Sequence, residues 1–66
     1  MNMKHWKVDY AVVENNKVIE EAFIVVEARN ISSALNRGYK HLEEIIDTEN
    51  YRYVVWDVGI MEEDIL

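Results

Sequence analysis

The chain has no cysteine, only two glycines, and seven Lys and Arg against thirteen Asp and Glu. Without cysteine there is no disulfide staple and no thiolate nucleophile, and a reducing compartment is permitted. Gly38 and Gly59 stand alone, so no glycine-rich phosphate loop exists. The net charge of −6 argues against a nucleic-acid binder, which needs clustered Lys and Arg to release counterions. Acidity leaves three readings: a basic protein partner, mimicry of nucleic acid, or surface charge that keeps a small domain soluble. The longest apolar run, Ala22 to Val26, falls far short of the roughly 20 residues a spanning helix needs. Lys4, Lys7 and Asp9 interrupt the opening MNMKHWKVDY, which lacks the apolar core of a signal peptide. We therefore expect a soluble, cytoplasmic protein with no membrane contact.

Candidate chemistry is equally sparse. His5 and His41 have no metal-ligand spacing, and Ser32-Ser33 sit where a helix begins, a position serine favours without any catalytic role. No catalytic residue, metal site or cofactor is expected, and the chain reads as no enzyme.

Half of the residues are hydrophobic, enough to drive folding. One domain, 1–66, is the most this length allows, and such a chain buries only about 60% of its unfolded surface. Residues 4–14 alternate, with Trp6, Val8, Tyr10 and Val12 on one row. Asn15-Asn16 suits a hairpin turn, and the β-branched and aromatic run 18–28 returns. Asn30 is a candidate N-cap for a helix over about 31–47, whose apolar stripe is Ile31, Leu35, Gly38, Leu42 and Ile45/Ile46 with Ala34 on its flank. Gly38 is placed to allow close helix–sheet packing and Gly59 a strand bend. A third strand follows over about 51–60, and the tail 62–66 is expected to fray. The expected fold is α+β: a ββαβ domain whose three-stranded antiparallel sheet, order 2-1-3, is covered on one face by the helix. Order 1-2-3 is the runner-up.

Hairpin register decides which rows share a face. A two-residue turn alone would put Phe23 and Val25 beside Trp6 and Val8. A longer loop, or a bulge near Glu20-Glu21, would put Ala22, Ile24 and Val26 there instead. The second is preferred because it keeps His5, Lys7 and Asp9 away from that apolar row. The third strand is apolar on both rows: Arg52, Val54, Trp56, Val58 and Ile60 on one, Tyr51, Tyr53, Val55, Asp57 and Gly59 on the other. With Trp56 taken as core, the uncovered face should carry Phe23, Val25, Tyr51, Tyr53 and Val55. A contiguous patch of that kind marks a contact surface, for a second copy or another protein. The same layout gathers Glu14, Glu43, Glu44, Asp47 and Glu49 at one end, against the negative end of the helix dipole.

The stretch VDYAVVENNKVIEEAFIVVEARNISSALNRGYKHL, with its hairpin, the strand exit through Val26 and Ala28 and the capped helix, resembles small acidic accessory proteins of bacteriophages and mobile elements. That resemblance implies a non-enzymatic binder that modulates a host protein, such as a defence or transcription component. The functional expectation is thus a protein-interaction module acting as a homodimer or a host-protein binder. An acidic nucleic-acid mimic that inhibits, and a small-molecule domain with a pocket between helix and sheet, are the alternatives.

Overall fold

A computed structural model describes residues 3–61. The elements run β1 (Lys4–Glu14), β2 (Lys17–Ala28), α1 (Ile31–Ile45) and β3 (Arg52–Ile60). They form one antiparallel sheet of order β2-β1-β3 with the helix on one face, the architecture expected from the sequence. The expected frayed tail lies outside the described residues.

Asn15 and Asn16 both take positive φ, 53° and 64°, as a two-residue hairpin requires and asparagine tolerates. Glu14 therefore faces Lys17 and Val13 faces Val18, but Val12 faces Glu20. Ile19 is the extra residue of a bulge, which shifts every later pair by one. The consequence is the preferred facing: Ala22, Ile24, Val26 and Ala28 point to the helix, Phe23 and Val25 away from it.

The helix starts where Asn30 accepts a hydrogen bond from the Ser33 N–H at 2.9 Å. It closes with the Ile46 N–H donating to Leu42 O at 2.9 Å. Asp47 then organises the turn into β3: its carbonyl accepts from the Asn50 and Tyr51 N–H groups, and its carboxylate from the Glu49 N–H and the Asn50 amide.

The face that α1 presents to the sheet differs from the expected stripe. Ala34, Gly38 and Leu42 are buried, Leu35 is half-buried, and Ile31 and Ile45 are about half exposed. The reason is clearance. Gly38 lies over Val8 so closely that a Cβ on it would stand 3.3 Å from Val8 Cγ2. Only small residues fit above the strand, so the larger ones move to the flanks. Trp6 fills one end of the layer against Ala28 and Ala34, donating from Nε1 to Ala28 O at 2.9 Å. Tyr10, Val12 and Leu42 fill the other.

The facing of β3 must also be corrected. Tyr51, Tyr53 and Val55 pack against the helix-side cluster, and Trp56 is 60% exposed. A bulge explains this: Tyr10 faces Val55 but Asp9 faces Asp57, leaving Trp56 as the extra residue. Both Val55 and Val58 then reach the core, from what strict alternation would make opposite rows. The irregularity lies at Trp56, whereas Gly59 pairs regularly with Lys7.

Leu42 is fully buried, so Leu42→Ala should cost about 2–5 kcal/mol. A domain of this size has roughly 3–10 kcal/mol in total, so the variant should lose about half of its stability. Trp56→Ala should shift stability by no more than about 0.5 kcal/mol. Chemical denaturation followed by circular dichroism checks both.

Candidate protein-interaction surface

With Trp6, Val8, Tyr10 and Val12 committed to the helix side, alternation sends Lys7, Asp9, Ala11 and Val13 to the other face. Residues directly opposite share a face. The register therefore adds Val25, Phe23, Glu21 and Val18 from β2, and Gly59, Asp57, Val54 and Arg52 from β3. The bulge lets Trp56 turn the same way as Asp57, away from the helix.

The resulting surface is apolar along its two margins. Phe23 (52% exposed) and Val25 stand on β2; Val54 (52%) and Trp56 stand on β3. On the central strand between them, Ala11 is short and buried. The charges of this surface are ordered rather than scattered. The Lys7 ammonium lies 4.8 Å from the centre of the Phe23 ring and 3.9 Å from Asp9 Oδ1. Asp9 is in turn directly opposite Asp57, a like-charge pair that weakens the sheet locally. His5 Nε2 and Glu27 Oε2, 3.2 Å apart, lie at the end of the same face.

Of the residues expected on this surface, Phe23 and Val25 are present and Tyr51, Tyr53 and Val55 are not. Val54 and Trp56 take their places. Both rows of β3 are apolar, but its two charges, Arg52 and Asp57, fall on opposite rows, and that is the one sequence signal of the bulge that brings both to this face.

At the expected acidic end, Glu14 of the hairpin lies near Asn50 and Arg52, and Asp47 lies near Ile19, Glu20 and Tyr51, whereas Glu44 stands on the β2 side of the helix beside Val26 and Glu27. Two of its five acids have intramolecular work. Asp47 holds the turn, and Glu43 accepts a hydrogen bond from the Tyr53 hydroxyl at 2.8 Å. Glu14, Glu44 and Glu49 are exposed. The layer between helix and sheet is filled by side chains, and the surface depressions beside it are shallow and open. Among the described residues no three His, Asp or Glu side chains come together as a metal site. No helix there is long and apolar enough to cross a membrane.

The ionisation of Tyr53 is perturbed by its surroundings. Loss of hydration raises its pKa, and the Glu43 hydrogen bond and charge, with Tyr39 beside it, raise it further, from 10.0 to about 12. The folded state then holds this proton more tightly than the unfolded chain does. Tyr53 should leave stability unchanged below about pH 10 and reduce it as pH rises through 12. Denaturation midpoints across that window should fall in the wild type and fall less in Tyr53→Phe.

Comparison with family models, curated proteins and solved structures gives no match for this chain.

Proposed function

We propose that the protein is a non-enzymatic, cytoplasmic protein-interaction module that docks another protein on its uncovered sheet face. One observation carries the reading: four large apolar residues, Phe23, Val25, Val54 and Trp56, are exposed together on one side of a small acidic domain. An apolar area of this kind, rimmed by charge, is the usual form of a docking site. Trp56 is the natural anchor, since tryptophan is enriched among residues that dominate binding energy. Asp9, Glu21 and Asp57 on the same face favour basic groups on the partner.

The likeness to phage and mobile-element accessory proteins belongs to this proposal and rests on sequence pattern alone. It makes a host protein the natural partner, with neither nucleic acid nor membrane bound directly. The mimic reading has less support, because Glu43 and Asp47 are engaged within the fold. The small-molecule reading has less still, because the space between helix and sheet is filled.

The test is capture from the native host with a tagged protein, repeated with Phe23→Lys and Trp56→Lys. Each should weaken a partner's binding by about 2 kcal/mol or more, roughly thirtyfold, at unchanged melting temperature. Lys substitution at the helix-side Ile24 serves as the destabilised control. Equal capture by wild type and both surface variants would end the proposal.

A further inference from the structure

The sheet has two free edges, and they are not alike. β2 has an apolar run of its own, Ala22 to Val26, but acids flank it on both sides, Glu20 and Glu21 before and Glu27 after, so antiparallel pairing with a second copy would set acid against acid. β3 carries only Arg52 and Asp57 across its whole length, with Tyr53, Val54, Val55 and Trp56 between them. A strand edge that is apolar on both faces is a template for another strand.

The two charges of β3 are opposite in sign, and both lie on the uncovered face. Among the described residues neither has an ion-pair partner. They cannot satisfy each other within one chain, being roughly 15 Å apart along the strand. Their placement around Val54 is symmetric once the bulge is counted as one position. Arg52 lies two places before Val54 on the ladder, and the Trp56/Asp57 pair two places after it.

We infer that β3 pairs antiparallel with β3 of a second copy, on a twofold axis at Val54, to form a continuous six-stranded sheet. In that register Val54 faces its own counterpart and Tyr53 faces Val55. Arg52 of each copy faces Asp57 of the other, so two ion pairs form by symmetry. The charge on Asp57 that opposes Asp9 within one chain gains a cation from outside. The bulge at Trp56 of each copy lies at an end of the shared ladder and closes it at Arg52 and Asp57. Pairing also sets the two uncovered faces side by side as one surface. The inference does not need that surface to bind anything, because the dimer forms with it empty.

The test is sedimentation of the purified protein over a wide concentration range, with Arg52→Asp, Asp57→Arg and the double variant. Wild type should dimerise reversibly. Each single variant should weaken association by about tenfold or more, since it brings like charges together twice, and the double swap should restore it. Asp57→Arg should also melt higher as a monomer, because it replaces the like charge opposite Asp9. That result separates lost pairing from lost folding. A wild type that stays monomeric would overturn the inference. So would a dimer indifferent to the charge swaps but lost in Phe23→Lys, which would mean that the uncovered faces stack instead.

Discussion

The distance between Gly38 and Val8 governs this molecule. A helix that lies low over the central strand needs small residues along its underside, and Ala34 and Gly38 supply them. Trp6 and Tyr10 then have room to close the layer on either side of Val8. The same contact expels Ile31, Tyr39 and Ile45 to the flanks, where each stays about half exposed. A sheet covered by one thin helix can be protected on one side only, so the composition of the other side decides what the sheet presents to solvent. Larger residues under the helix would deepen the core but lift the helix from the strand.

Two bulges, one in each outer strand, distribute the apolar residues between those sides. At Ile19 the bulge removes a conflict visible in the sequence: without it, Ala22, Ile24 and Val26 would share a face with Lys7 and Asp9. Polarity on β1 therefore makes the facing of β2 legible in the sequence. At Trp56 the bulge removes a second conflict, since with Tyr51, Tyr53 and Val55 on the helix side strict alternation would carry Asp57 there too. Both rows of β3 are apolar, so pattern alone cannot say which row is buried, and a large aromatic side chain is a misleading guide. Composition identifies a residue that gains from burial, yet burial here is assigned by pairing with β1.

The helix shows the same limit. Its start was readable because Asn30 has a local job, whereas its expected end at about 47 took in Asp47, which leaves the helix after Ile45 to hold the turn with Asn50. Its rotation was not readable, because that depends on what lies beneath. A stripe drawn by hydrophobicity favours Ile31 and Leu35, whereas the clearance over Val8 favours Ala34 and Gly38. The acidic end was anticipated as a cluster, but not the engagement of Glu43 by Tyr53 from a strand whose facing was undecided.

Strand order has a consequence for how the chain assembles during synthesis. β1 is central in the sheet but first in sequence, and β3, which completes it, is the last element made. The hairpin and helix can emerge and meet early, through contacts close in sequence. Until β3 arrives, one entire edge of β1 stands open, from Trp6 to Val13, beside a half-built core. That interval is when a nascent chain is most exposed to strand exchange with a neighbour on the same message.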